Sequence, residues 1–277
     1  MIPAVSRTQN WSAYLDLVLT AGEIKTNLIP KQRFGPLSVQ RPFYPEQGYC
    51  HVYLLHPPGG VVGGDQLDLR VSAQADAHAL FTTPGATKFY LSASDTALVK
   101  QQFSLQQGSS LEFLPQENIY FPGAQVYTHT QLDVVPGSVA MLWEKHCFGR
   151  PANDENFSHG KVTSELSVKR DGKLIFNEKQ RMDEVEINRP SGLRGNPVCG
   201  TFLIYAESLT AILIDELREI QPQQGVCGIT RTDDELLVVR YMGASTSDLN
   251  SYFVQLWEKI RSEVLNRNSC HPRIWNT

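Results

Sequence analysis

Several charged and polar side chains of this sequence lie inside apolar or backbone-constrained stretches. Those that stand out are Asp65, Lys88, Glu117, Asn118 and Glu144. A buried carboxylate is costly unless it is paired, bound to a metal or hydrated. Two interpretations follow from this cost. Either the acidic groups bond loop amides or pair with Lys88 and Arg150, or they line an internal, hydrated polar route.

Cysteine and histidine occur in adjacent pairs at three places, which are Cys50-His51, His146-Cys147 and Cys270-His271. Thiolate and imidazole are ligands for nickel, copper and zinc. The first two pairs fall in predicted strands or strand ends. Neighbours within a strand point to opposite faces, so the two residues of such a pair cannot bind the same ion. The third pair lies in the C-terminal tail and could chelate. We predict no stable metal site, and the pairs are either weak, transient ligands or buried cysteines beside hydrogen-bonded histidines.

Standard catalytic and cofactor-binding motifs do not occur in the sequence. The glycine-rich residues 56–65 lack the lysine and the serine or threonine of a P-loop, and their spacing is not GxGxxG. HExxH, CxxC and GxSxG are also missing. We therefore predict that the chain is not an enzyme. The competing hypothesis, an enzyme that acts on a small molecule at the glycine-rich loop, predicts activity of this chain alone.

Composition and charge argue against several classes of protein, among them nucleic-acid-binding, membrane-spanning and secreted proteins. The chain has 277 residues, 41% hydrophobic and 19% charged, with a formal net charge of −4, which does not favour a nucleic-acid partner. No run of roughly eighteen apolar residues predicts a membrane span, and the first residues lack the apolar segment of a signal peptide. The odd number of five cysteines argues against a disulfide scaffold and for a reducing cytoplasm. We predict one domain over residues 1–277.

Three backbone-constrained loops stand between predicted strands. They are residues 56–65 (HPPGGVVGGD), 82–90 (TTPGATKFY) and 114–124 (LPQENIYFPGA). Proline fixes φ and glycine permits positive φ, so these segments are not ordinary strands or helices. Each is either a tight turn of a β protein or part of a functional site on a rigid scaffold. In the first loop we expect the glycines to allow close backbone approach, with Asp65 as the residue to test.

A weak internal repeat predicts how these loops are held. Residues 67–85, 99–117 and 128–146 each contain a strand of period two, a short turn and a second strand. Their spacing of about thirty residues is typical of stacked coils, so we predict a mainly β, β-helical or solenoid-like two-layer structure. A plain β-sandwich is the alternative.

The N-terminal region predicts one strand and one loop. Alternating apolar residues from Trp11 to Leu19 predict a half-buried strand whose buried face includes Trp11. The proline-rich residues 30–48 predict a loop with at most a short strand at residues 37–39.

The C-terminal third combines strands with two α-helices. Strands are predicted at residues 161–170, 173–178, 181–187, 198–205 and 235–241, with a hairpin turn at Asp171-Gly172. Amphipathic helices are predicted at residues 208–220, behind Ser208 as the N-cap, and from Ser247 to Ile260. We expect the second helix to pack on a sheet, and a groove for a partner is the alternative.

Six motifs in the same order resemble the UreD family of urease accessory proteins, called UreH in some systems. Besides the three loops, they are residues 143–150 (W-E-x-x-C-x-G-R), 157–160 (FSHG) and 272–277 (PRIWNT). The resemblance covers nearly the whole chain. It implies a β-helical, two-layered fold with two helices and a non-enzymatic role.

The resemblance also implies partners and a cargo. Proteins of this family bind the accessory protein UreF and, through it, the GTPase UreG, and the assembly docks on the urease apoprotein. It helps to insert two nickel ions beside a carbamylated lysine. No tightly bound cofactor is implied, only nickel in transit through an internal tunnel. By motif, Asp65, Thr87 and Glu144 match positions implicated in such a route.

Two departures from the family pattern affect this route. Leu91 stands where the family usually has an arginine, so a positive charge is absent, and Glu144 stands where some relatives have aspartate. A delivery route needs ligands that hold a divalent ion weakly, which suits scattered carboxylates and carbonyls better than a closed thiolate site. The alternative function is a pure adaptor that remodels the urease apoprotein without conducting nickel.

Overall fold

The computed structural model of the protein describes residues 11–276. In chain order the strands are β1 (Ser12–Ala21), β2 (Thr26–Phe34), β3 (Ser38–Val39), β4 (Cys50–Leu55), β5 (Gln66–Ala73), β6 (His78–Thr82), β7 (Thr87–Phe89), β8 (Ala97–Leu105), β9 (Ser110–Phe113), β10 (Asn118–Tyr120), β11 (Gln125–Val134), β12 (Val139–Arg150), β13 (Glu155–Asn156), β14 (Lys161–Arg170), β15 (Lys173–Met182), β16 (Val198–Tyr205), β17 (Val226–Asp233) and β18 (Leu236–Gly243). The helices are α1 (Glu184–Asn188), α2 (Ala211–Glu219) and α3 (Thr246–Leu265), and short 3₁₀ turns lie at Pro151–Asn153 and Arg273–Asn276.

The first layer is a seven-stranded sheet in the order β15-β14-β11-β8-β5-β1-β2. Its five central strands run parallel, and only the edge strands β2 and β15 pair antiparallel. Leu98 pairs in register with Gln66 on one side and with Tyr127 on the other. Equivalent residues of successive coils are therefore about thirty residues apart, which confirms the predicted repeat.

The second layer contains the order β17-β18-β16-β12-β9-β6-β4-β3. Strands β4, β6, β9 and β12 are parallel and belong to the same stacked coils as the first layer, and β16, β18 and β17 extend the sheet antiparallel. Each coil places one strand in each layer, because a parallel neighbour is reached only by a crossover connection. The mainly β, solenoid-like prediction is confirmed.

The space between the two layers holds the largest apolar cluster. Leu15, Leu17 and Leu19 face it from β1, as strict alternation predicts. Trp11 was predicted on that face but is 53% exposed, because the strand begins only at Ser12. The predicted loop at residues 30–48 is also shorter than expected, since β2 continues to Phe34. Proline is tolerated there because β2 is an edge strand.

The helices differ from the prediction in number and in their starts. The chain from residue 184, predicted to continue a strand, forms the short helix α1 because Asp183 accepts a hydrogen bond from the Glu186 amide as an N-cap. The next helix is capped by Thr210 rather than by Ser208. The long helix α3 packs on β12, β16 and β18, as expected for the buried stripe of an amphipathic helix. Among the described residues, no helix is both long and apolar enough to span a membrane.

Candidate functional site, a cavity joined to an inter-layer polar belt

The three backbone-constrained loops lie side by side across successive coils of the second layer. The Thr82 hydroxyl donates to the carbonyl oxygen of Leu114 at 2.6 Å, and the Gln116 amide donates to the Thr83 hydroxyl at 2.9 Å. Inside the loops, Val61 bridges to Phe89 and β7 pairs with β10, so residues 82–90 and 114–124 each contain a short strand that the sequence did not predict. The loops thus interrupt the sheet at the same level in each coil.

A cavity of about 350 Å³ opens at this interruption. Exposed loop residues such as Pro84 and Gly85 form one part of its wall, and Gln101, Thr128 and Glu144 form a deeper part between the layers. In the sequence the three loops are separate segments. The fold makes them one wall, since parallel coils place equivalent residues next to each other.

The glycines of residues 56–65 serve two different geometric needs. Gly59 and Gly64 have φ of 78° and 89°, the left-handed region that favours glycine. At Gly60 an added Cβ would lie 2.2 Å from the Tyr90 ring, and at Gly63 it would lie 1.8 Å from the Ser92 hydroxyl. Close backbone approach therefore explains this loop better than a phosphate nest does.

Asp65 is 2% exposed, and both of its carboxylate oxygens accept hydrogen bonds from backbone amides, one inside the loop and one at Trp11 just before β1. Oδ1 accepts from the Trp11 amide at 2.8 Å, and Oδ2 accepts from the Val62 amide at 2.9 Å. Asp65 is not among the residues that line the cavity. Its position matches the first interpretation of the buried carboxylates, bonding to loop amides, so an Asp65 variant would report mainly on the shape of the loop.

Thr87 lines the cavity from β7 and is half-buried. Its amide donates to the Glu117 carbonyl oxygen at 2.9 Å, and it pairs in register with Asn118, which also lines the cavity. The backbone of Thr87 is therefore fixed by the neighbouring coil, and the residue stands beside the free space.

Glu144 lies at the inner end of the cavity and is 8% exposed. Its Oε1 accepts from the Thr130 hydroxyl at 2.6 Å, and its Oε2 accepts from the Ser164 hydroxyl at 3.1 Å and lies 3.5 Å from His146 Nε2. Burial alone raises the pKa of this carboxyl, but the bonds from His146, Thr130 and Ser164 outweigh it and lower the pKa below its usual value. Glu144 is therefore an ionised carboxylate between the layers.

Polar side chains continue from Glu144 toward a second cavity of about 360 Å³. Thr201 pairs in register with Glu144 on the neighbouring strand, and its hydroxyl donates to Glu178 Oε1 at 3.2 Å. Glu178 is in turn paired with Arg240. Thr201 and Arg240 both line the second cavity. We call Thr130, Glu144, Ser164, Glu178 and Thr201 the polar belt.

Of these five residues, only Glu144 stands out in the sequence. The other members are ordinary serine, threonine and glutamate residues within alternating strands. Thr130 and Ser164 occupy inward positions of their strands, where alternation otherwise places leucine or valine, and Thr201 lies in β16, which is buried throughout. Hydroxyl groups at buried strand positions were thus the sequence signal for the belt. A single buried hydroxyl is common, however, and the sequence does not show which group it bonds.

Lys145, next to Glu144 in β12, points to the other face of the sheet. Its Nζ donates to Asn250 Oδ1 of α3 at 2.8 Å and lies over the Trp143 ring. Burial lowers the pKa of this ammonium to about 8.

Replacing Lys145 with methionine is expected to raise the free energy of unfolding at pH 7 by about 1–3 kcal/mol, because the cost of burying the ammonium is removed. That cost is present in full below pH 8, where Lys145 is protonated in both the folded and the unfolded chain. It decreases as the pH rises toward ~10.4, the ordinary pKa of lysine, because the folded chain then holds Lys145 uncharged. Urea unfolding of both proteins at pH 7 and pH 10 measures it. A difference that does not shrink with pH would contradict the assignment.

The cysteine–histidine pairs behave as strand geometry predicts. Cys50 faces the inter-layer apolar cluster, whereas His51 faces Glu46 at 2.8 Å. His146 faces the polar belt, and Cys147 joins the apolar cluster under α3. In the tail, His271 contacts Glu258. No adjacent pair in the described residues forms a shared metal site; the one group of donors found there combines His51 with Cys270 and Glu46.

Comparison with known proteins shows the family to which the chain belongs. Residues 12–276 match the family model described as UreD urease accessory protein. The Urease accessory protein UreD of Alcanivorax borkumensis is 42% identical over 99% of this chain and 95% of its own length. The proteins of the same name from Aliivibrio fischeri (41% identical, 98% of each chain) and Methylobacillus flagellatus (39% identical, 97% of this chain and 95% of the relative) are also similar. The chain therefore belongs to the UreD family of urease accessory proteins.

Proposed function

We propose that this chain acts in urease maturation as a non-enzymatic scaffold that lets Ni²⁺ pass from an accessory complex into the urease apoprotein. Its partners in this role are UreF, the GTPase UreG through UreF, and the apoprotein, and the compartment is the cytoplasm. Nickel is the cargo and not a resident cofactor. Family membership supports the link to urease, and the interior of the chain supports the passage of an ion.

The observation that carries the proposal is the cavity joined to the polar belt. A solenoid of this size normally fills the space between its layers with apolar side chains. Here the space between the layers also holds, beside the apolar cluster, an ionised carboxylate and several hydroxyls that stand between two cavities. Oxygen donors of this kind hold a divalent ion less tightly than a closed set of thiolates and imidazoles, as transit requires.

His56 adds a ligand-competent nitrogen at the wall of the cavity. Its Nε2 is buried and has no hydrogen-bond partner within residues 11–276. Burial lowers the pKa of this imidazole, so it is neutral at pH 7 and its nitrogen can accept a water or a metal ion. A buried nitrogen without a partner is otherwise costly.

A bulky side chain placed in the first cavity distinguishes a chain that conducts nickel from a pure adaptor. Thr87→Phe is expected to lower the nickel content of urease several-fold, because the larger ring occupies the space beside Thr87, while the complex with UreF still forms. The matched control is Thr163→Phe, which makes the same change on the outward face of β14, away from the cavity. Nickel is measured in urease purified after co-expression with each variant.

Normal nickel loading with Thr87→Phe, in a variant whose fold and UreF binding are intact, would favour the pure adaptor. Loss of UreF binding in the control would instead place the outer face of β14 at a partner interface. Circular dichroism and co-purification with UreF decide whether each variant is folded and assembled before its nickel content is interpreted.

A further inference from the structure

The tail that follows α3 brings a thiol to a carboxylate and an imidazole. Ligand atoms of Glu46, His51 and Cys270 all lie within 4.8 Å of one another. The three residues come from the loop before β4, from β4 itself and from the tail. More than 200 positions separate Cys270 from the other two.

This donor set is distinct from the cavity and the polar belt, neither of which includes these residues. His51 is 1% exposed and Glu46 is largely buried, whereas Cys270 is half-exposed. The Cys270 thiol therefore lies on the solvent side of the three donors. A thiolate, an imidazole and a carboxylate suit borderline divalent ions such as Zn²⁺, Co²⁺ and Ni²⁺. Three protein ligands leave a fourth position for water.

The neighbouring arginines do not prevent Glu46 from serving as a ligand. Its Oε1 accepts from Arg261 at 2.6 Å and contacts His51 at 2.8 Å, while its Oε2 lies 3.9 Å from Arg267 and is not hydrogen-bonded to it. Arg261 has a second carboxylate partner in Glu112, at 3.0 Å. Its charge therefore stays compensated when Glu46 turns an oxygen toward an ion.

We propose that Glu46, His51 and Cys270 form a binding site for one divalent transition-metal ion, which ties the C-terminal tail to β4. The Cys270 thiol releases its proton to solvent and forms a sulfur–metal bond. An unprotonated ring nitrogen of His51 and a carboxylate oxygen of Glu46 replace two of the waters on the ion. The site has a different donor chemistry from the polar belt, and it holds its ion rather than passing it on.

Binding at this site would also fix the segment that follows Cys270. The Trp275 indole donates to the Thr82 hydroxyl at 2.9 Å and packs against Trp143, which lines the first cavity. Metal binding at Cys270 thus anchors the tail beside the wall of that cavity. The tail otherwise depends on a few side-chain contacts, among them the pair of His271 with Glu258.

The test uses the full chain, freed of metal and reduced, and Co²⁺ as the spectroscopic probe. Wild-type protein should bind one equivalent with a thiolate-to-cobalt absorption band in the near ultraviolet. Cys270→Ser should lose the band and bind at least about tenfold more weakly, since even outer-shell partners of a metal are worth about 10- to 100-fold in affinity. Cys227→Ser is the matched control, because Cys227 is also half-exposed but lies outside the group, and it should behave as wild type.

A second measurement needs no variant. Zn²⁺ should protect Cys270 from alkylation by iodoacetamide, while Cys227 reacts at an unchanged rate. Mass spectrometry of proteolytic peptides measures the alkylation of each cysteine. Absence of the band in wild type, an unaltered band in Cys270→Ser, or equal alkylation of Cys270 with and without Zn²⁺ would each overturn the proposal. Normal nickel loading of urease with a Thr87→Phe or Glu144→Leu variant that keeps the cobalt band would count against the proposed function alone.

Discussion

Replacing Arg261 with methionine is expected to lower the free energy of unfolding by about 3–5 kcal/mol, the usual cost of breaking a buried ion pair from one side. Arg261 is fully buried on the inner face of α3. Its Nε lies 3.0 Å from Glu112 Oε1 and its Nη2 lies 2.6 Å from Glu46, while Nη1 donates to the Asn268 carbonyl oxygen. Without the guanidinium, Glu112, which is also fully buried, remains as an uncompensated charge.

Two controls separate this cost from a simple loss of side-chain volume. Arg261→Met combined with Glu112→Leu should be less destabilised than the single variant, because replacing both charges by apolar groups removes the orphaned carboxylate. Lys259→Met, two positions away on the exposed side of α3, removes surface ion pairs with Glu216 and Glu263 and should change stability by less than about 1 kcal/mol. Urea unfolding at pH 7 compares the three. A single variant as stable as Lys259→Met would contradict the role of Arg261.

Replacing Glu144 with leucine is expected to reduce nickel loading of urease by at least about tenfold, on the scale by which a metal's protein partners affect affinity. The substitution removes the ionised carboxylate of the polar belt and leaves the Thr130 and Ser164 hydroxyls facing an apolar side chain. Nickel in urease purified after co-expression measures the effect. Glu144→Asp keeps the charge and should retain most of the loading.

A matched carboxylate outside the belt tests whether position matters. Glu165→Leu makes the same change on β14, where Glu165 instead pairs with Lys179 and Tyr127 on the outer side of the layer. It should leave nickel loading unchanged. Equal loss with Glu144→Leu and Glu165→Leu, or no loss with either while UreF binding persists, would refute a conducting role for Glu144.

For Asp65 and Glu144, the sequence predicts burial but not the hydrogen-bond partners. The sequence indicated that Asp65 and Glu144 are buried carboxylates, and both are. It could not indicate what their oxygens face. Asp65 is satisfied by two amides of its own loop and its neighbour, whereas Glu144 meets hydroxyls from β11 and β14 and lines a cavity. Burial follows from the surrounding apolar pattern, but partners depend on which coils lie side by side.

The helices show a similar limit at shorter range. Periodicity predicts α2 and α3, but the predicted N-cap of α2, Ser208, is wrong, because Thr210 makes the capping bond. Helix α1 was missed because five residues are too few for a helical period to be visible. Only the backbone conformation at Asp183 distinguishes a capped turn from a continuing strand there.

Local patterns in the sequence predict the repeat of about thirty residues, the alternation of β1 and the glycine and proline loops, because these depend on local conformational preferences and on a period of two, but they leave a β-sandwich open beside the solenoid. The tertiary structure decided that the three loops form one cavity wall and that Thr201 and Glu178 extend the belt from Glu144. It also decided that His51 meets Cys270 rather than its own neighbour. These contacts arise from the register of strands far apart in the chain, and that register is fixed by the packing of whole layers, which no local pattern encodes.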